Sequence, residues 1–139
     1  MKIYMDVCCL CRPFDDQLAP RIRYESEAVI AILNRCPTDW ELVWSIALTY
    51  EIAKILDPHK KHYIASFARK TTTTILVDND IKIRADTFMK WGVKALDALH
   101  IACAEQAEAS VFLTTDDALK NIMCSHSDRI SIKVTNPAA

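Results

Sequence analysis

Short apolar runs alternate with amphipathic stretches along this chain, and the alternation predicts its architecture. Residues 3–5, 42–45, 74–77, 111–114 and 130–134 read as β-strands, brief runs rich in branched and aromatic side chains. Residues 21–34, 46–56, 63–69, 81–91 and 96–109 read as helices. In the first of these, Ile22, Ala28, Val29, Ile32 and Leu33 fall on the helical repeat. Strands and helices in this order predict parallel strands with helices on both faces. The expected fold class is therefore α/β, three layers α/β/α around a central, mostly parallel sheet of four to five strands.

Composition narrows the picture. At 139 residues, 51% hydrophobic and 25% charged, the chain has material for one substantial core. We expect a single domain over residues 1–135 and a short C-terminal tail, 136–139, that frays. The threonines at 71–74 read as a loop leading into a strand. Gly92 is the single glycine, which rules out a glycine-rich dinucleotide loop and a P-loop. No stretch has the apolar length of a membrane span, and residues 1–6 lack the features of a secretory signal, so a cytoplasmic protein is expected. Its six cysteines are then expected to be reduced and mostly buried. Cys8, Cys9 and Cys11 lack zinc-site spacing and read as buried thiols in the first strand-to-helix loop. A formal charge of -1 gives no global basic signature, so any nucleic-acid contact must come from local patches.

The candidate chemistry lies in the acids. Asp6 follows the first strand, and Asp116 lies just past the fourth. Glu51 stands six residues after Ser45, about one turn into the next helix. Asp97 opens a helix whose next residues, Ala98, Leu99, Ile101, Ala102, Cys103 and Ala104, are nearly all apolar. Open parallel sheets bind ligands beyond the carboxyl ends of their strands. Carboxylates gathered there would repel each other and a nucleic-acid phosphate, so such a cluster makes sense around divalent cations. Taken singly, each has an ordinary alternative: Asp97 a helix cap, Asp6 and Asp116 turn formers, Glu51 a solvated helix residue.

The segments Met5-Asp6, Ser45 to Glu51, Gly92-Val93-Lys94-Ala95-Leu96-Asp97-Ala98-Leu99-His100-Ile101-Ala102 and Phe112-Leu113-Thr114-Thr115-Asp116-Asp117 resemble the four motifs of the PIN (PilT N-terminus) domain family, which includes the VapC-like toxins of bacterial toxin–antitoxin modules. The resemblance runs from Lys2 to about Val134. It implies a PIN-like fold in which Asp6, Glu51, Asp97 and Asp116 ligate one or two Mg²⁺ or Mn²⁺ ions and Thr114 orients the cluster. Asp117 is an extra ligand or a helix cap. The implied activity is metal-dependent endoribonuclease, leaving 5′-phosphate and 3′-hydroxyl ends, in the toxin of a toxin–antitoxin module. The implied partners are an RNA substrate, a small antitoxin and a second copy in a homodimer. The chain departs from the family pattern at Val7, where Ser or Thr is common, and at Cys11, where a polar residue is common.

Several features stay open at the level of sequence. For RNA contact the candidates are Arg12, Lys54, Lys60 and Lys61, with Arg21, Arg23, Arg69 and Lys70 nearby, although a solvated helix face explains the basic stretch equally. His100 shares a helix face with Asp97 and either reaches the cluster or packs. Trp40 and Trp91 could stack on bases, whereas Trp44 reads as core. The apolar stripe of residues 21–34 serves the core or a dimer contact. Two other readings share these residues: a PIN-fold binding or scaffold protein with a weak or silent metal site, and a phosphotransferase using Asp6 as nucleophile. The latter usually wants a second Asp where Cys8 stands.

Overall fold

The computed structural model describes residues 1–71 and 73–139; Thr72, within the expected threonine loop, lies outside the described residues. Five strands form one sheet: β1 (Lys2–Met5), β2 (Glu41–Ser45), β3 (Thr74–Ile75), β4 (Val111–Leu113) and β5 (Lys133–Thr135), in the order β3-β2-β1-β4-β5. Every pairing is parallel, with Ile3 opposite Leu42 on one side and Val111 on the other. Seven α-helices flank the sheet: α1 (Val7–Cys11), α2 (Pro20–Asn34), α3 (Ile46–Ala53), α4 (Pro58–Ala65), α5 (Asn79–Lys90), α6 (Ala95–Gln106) and α7 (Asp117–Ser125). Successive strand residues point to opposite faces, yet Ile3, Tyr4 and Met5 are all buried, so both faces of the central strand are covered. The α/β expectation holds.

The core forms where those faces meet the helices. Tyr4 stacks on Phe112 at 5.3 Å between centroids, and both are fully buried. Helix α6 is buried at Ala98, His100, Ile101, Ala102, Cys103 and Ala104, as its apolar sequence predicts. The stripe of α2 turns Val29 and Leu33 into the core and leaves Ile22, Ala28 and Ile32 half-buried. All six cysteines are free thiols. Among the described residues no helix is long and apolar enough to cross a membrane.

Several boundaries differ from expectation. Helix α3 stops at Ala53 because Asp57 and Pro58 start another: the Asp57 carboxylate accepts from the His59 and Lys60 N–H groups. The expected helix at 63–69 is thus the end of α4 followed by a 3₁₀ turn, Ser66–Lys70. Strand β5 begins at Lys133, because the apolar run from Ile130 pairs only where it faces β4. Helix α1 was not anticipated, and of α7 only the start at Asp117 was; each is short, and the buried stripe of α7 consists of Leu119 and Met123. The tail is anchored at its start: Asn136 donates to buried Glu25, and its own side chain accepts the Ala138 N–H at 2.8 Å.

The chain order creates a switch point beside β1. From β1 the path runs outward through β2 and β3, then returns to place β4 on the other flank of β1. The loops leaving β1 and β4 therefore diverge, opening a crevice at their carboxyl ends.

Candidate metal centre

Asp6 is the first residue beyond β1, at that crevice. It is buried, and its side chain is held from three sides. Val7 N–H donates to Oδ1 at 2.8 Å, capping α1; the Thr114 hydroxyl and the Cys8 thiol donate to Oδ2 at 3.1 and 3.4 Å. Val7 contributes no side-chain hydrogen bond; Cys8 and Thr114 supply the side-chain donors to Asp6. Thr114 also accepts the Asp116 N–H at 3.1 Å, so one hydroxyl ties the first acid to the backbone of the last.

Asp116 is exposed and caps α7, its Oδ1 accepting the Leu119 N–H at 3.2 Å. The capping role expected of Asp117 thus falls to its neighbour. Asp117 points away into a bidentate pair with Arg21, both contacts at 2.8 Å, so it braces α7 against α2 and reaches no other acid of the set. The N-cap of α6 is Lys94, which places Asp97 in the first helical turn, where the helix dipole favours negative charge. The preceding turn depends on Gly92, whose φ of +101° is strained for any residue with a side chain. Asp97 and Asp116 line one hollow with Gly92, Val93 and Lys94. Glu51, on α3, is partly exposed, and its Oε1 lies 3.1 Å from His100 Nε2.

The four acids share one electrostatic environment. Burial, then the neighbouring charges of Cys8, Asp97 and Glu51, push the Asp6 carboxyl well above the usual carboxylate range. Asp97 is raised by burial and by Asp116 and Glu51, partly offset by His100. Hydrogen bonds with Cys9, Thr114 and Thr115 pull the Cys8 thiol down to about 5 against its burial, so Cys8 and Asp6 compete for one proton. The tightest potential ligand set is Asp6, Glu51 and His100, with one ligand atom from each within 4.8 Å of the others. Asp97 and Asp116 lie outside that set, along the adjoining hollow. Clustered, mutually repelling carboxylate oxygens fit a hard divalent cation such as Mg²⁺ or Mn²⁺.

The basic candidates fare unevenly. Arg12 is not free: it pairs with Asp15 at 3.0 Å and with buried Glu25 at 3.0 Å, so its charge is offset where it stands. Arg21 is likewise engaged by Glu25 and Asp117. Lys54 lies over the Tyr50 ring, and Lys61 lines an apolar groove beside Trp44 and Ile52. Burial raises the Cys11 thiol on α1, and nearby Lys60 partly offsets that rise. The faces of Trp40 and Trp91 are covered by Arg35 and His126, and Trp44 is buried.

Sequence reasoning gave His100 two options and passed over Tyr4 and Ser45. His100 is fully buried and bonded on both ring nitrogens, to Glu51 and to the Tyr4 hydroxyl. The available signal was Tyr4 itself, a hydroxyl two residues before Asp6 in a strand where alternate residues share a face.

A parallel α/β fold with an acidic crevice at its switch point defines the class. No protein-family model matches the sequence, and no curated protein matches it. Solved structures do match over nearly the whole length. A chain of FitAcB from Neisseria gonorrhoeae aligns at TM-score 0.64 and 18% identity over 97% of each chain. A chain of VapBC-1 from nontypeable Haemophilus influenzae aligns at TM-score 0.63 and 11% identity over 100% of each. One of VapBC2 from Rickettsia felis, bound to a DNA fragment from their promoter, aligns at TM-score 0.58 and 10% identity over 98% of each. The chain has a VapC-like PIN fold.

Proposed function

We propose that this protein is a divalent-metal-dependent endoribonuclease, the toxin of a toxin–antitoxin pair. The observation that carries the proposal is the approach of Asp6, Glu51 and His100 to within 4.8 Å of one another in a VapC-like PIN fold, with Asp97 and Asp116 lining one hollow that is electrostatically coupled to them. In this reading Asp6, Glu51, Asp97 and Asp116 hold one or two Mg²⁺ or Mn²⁺ ions. When bound, such ions activate water and stabilise charge developing on a phosphodiester in in-line hydrolysis.

The chain's own groups do the positioning. Thr114 and Cys8 fix the rotamer of Asp6 and leave its carboxylate directed at the crevice. Asp116 keeps one oxygen on the α7 backbone and has the other for a ligand. Cation binding favours the ionised form of Asp6. Lys60, Lys54 and Lys61 are the remaining candidates for the RNA backbone, with Lys60 best placed because it lies near α1, directly after Asp6. Likeness to FitAcB and VapBC chains supports an antitoxin partner; the homodimer is proposed from the family resemblance alone.

The test is incubation of purified protein with tRNA, rRNA and mRNA in Mg²⁺, in Mn²⁺ and in EDTA. Cleavage should need the metal, leave 5′-phosphate ends, and fall more than about 100-fold in Asp6→Asn and Asp97→Asn. Turnover near the wild-type rate in either folded variant contradicts the assignment.

A further inference from the structure

The metal reading leaves one buried histidine without a role. His100 follows Asp97 by three residues on α6 and is fully buried. Its Nε2 lies 3.1 Å from Glu51 Oε1, and its Nδ1 lies 2.6 Å from the Tyr4 hydroxyl. Tyr4 in turn lies 2.6 Å from Ser45 Oγ, which accepts the Leu48 N–H at 3.1 Å. Four elements, β1, β2, α3 and α6, thus meet in one line of polar atoms inside an apolar core.

One assignment of hydrogens satisfies every member of that line. An ionised Glu51 can only accept, so Nε2 carries a hydrogen. Nδ1 then accepts from the Tyr4 hydroxyl, and the Tyr4 oxygen accepts from Ser45. Donation runs one way, from Leu48 N–H through Ser45, Tyr4 and His100 to Glu51. Burial pushes the Tyr4 phenol well above its ordinary value, so it keeps the hydrogen it donates. Among the described residues no buried side-chain nitrogen or oxygen lacks a partner.

We propose that His100 is a positioning residue: backed by Tyr4, it holds Glu51 by Oε1 and presents Oε2 to the cation shared with Asp6. The inference rests on the metal reading and adds to it. Glu51 is a long side chain, a quarter exposed, on a helix whose sequence lies 49 residues from His100. Unrestrained, it would lose rotamer freedom on every metal-binding event; held in advance, it does not. His100 also lies within the tight set of potential ligands. An Nε2 that donates to Glu51, however, has no lone pair for a cation, so orientation and ligation exclude each other.

The experiment uses the purified full chain, wild type and the variants Tyr4→Phe, His100→Ala and His100→Gln. It measures Mn²⁺ binding by electron paramagnetic resonance, RNA cleavage at saturating Mn²⁺, and thermal unfolding as a check on folding. The wild type should bind Mn²⁺ without nitrogen hyperfine coupling. His100→Ala should weaken binding about 10–100-fold, and Tyr4→Phe about 10-fold, with KM for RNA little changed. His100→Gln, whose amide N–H can serve Glu51, should recover most of the loss. If His100→Ala does not fold, Tyr4→Phe carries the comparison, since it removes a single hydroxyl. Nitrogen coupling to the bound ion, or Mn²⁺ affinity within twofold of wild type in both Tyr4→Phe and His100→Ala, overturns the positioning role alone. A wild type that takes up no Mn²⁺ overturns the metal reading, and this inference with it.

Discussion

Asp97, a proposed cation ligand, shows what such a carboxylate costs the protein that carries it. Burial and the charges of Asp116 and Glu51 raise its pKa, so its ionised form is less favourable folded than unfolded. The sign follows from linkage. A carboxyl raised on folding binds more protons in the native state, so stability falls as pH rises from the ordinary carboxylate value, about 4, through the raised one. Asp97→Asn removes that penalty. In EDTA the variant should melt above wild type at neutral pH, by about 4 °C for each kcal/mol relieved, and the gap should close as the pH falls below about 4. Melting curves at several pH values check this; a variant less stable than wild type at pH 7 without metal contradicts it. The ligand candidates were legible at this scale because each acid occupies a fixed place in a recognisable motif. Their companions were less so: that Cys8 would donate to Asp6 and Asp116 would take the α7 cap depends on side-chain directions that motif spacing does not record.

At the scale of elements, the crevice is assembled from helix starts. Asp6, Ser45 and Asp116 each cap the helix that follows their strand, so the residues that end β1, β2 and β4 also fix the positions of α1, α3 and α7. Thr114 joins two of these loops, and it has little redundancy. Thr114→Val keeps the shape but leaves the Asp116 N–H without its acceptor and Asp6 without one of its three donors. We expect a loss of about 1–3 kcal/mol in denaturant unfolding and weaker Mn²⁺ binding by about 10–100-fold. Retention of both would show that Thr114 does not join the loops functionally. The strands and most helices could be anticipated from apolar periodicity, which is strong where elements are long and deeply buried, whereas the strand order could not. Helix α1 and the length of α7 escaped because both are short and present few apolar positions, and the end of α3 was misplaced because the Asp57-Pro58 start signal was overlooked. Arg12 was expected at the RNA; Glu25, a buried acid on α2, claims it instead.

For the whole molecule, the return of the chain from β3 across to β4 makes the site possible. It brings residues 6, 51, 97 and 116, distant in sequence, to one edge of the sheet. Five parallel strands and buried helices supply the rigid frame, and the acids are the local departure from a well-satisfied interior. A fold that gathers uncompensated negative charge should be stabilised by whatever neutralises it, which makes cation binding measurable without any RNA. The most direct test is thermal unfolding of wild type, Asp6→Asn and Asp97→Asn across a Mn²⁺ titration. Wild type should gain about 2.7 kcal/mol at a hundredfold excess over Kd, with both variants nearly unresponsive. A wild-type melting temperature that saturating Mn²⁺ does not move, or variants that respond as wild type does, would contradict a shared cation site.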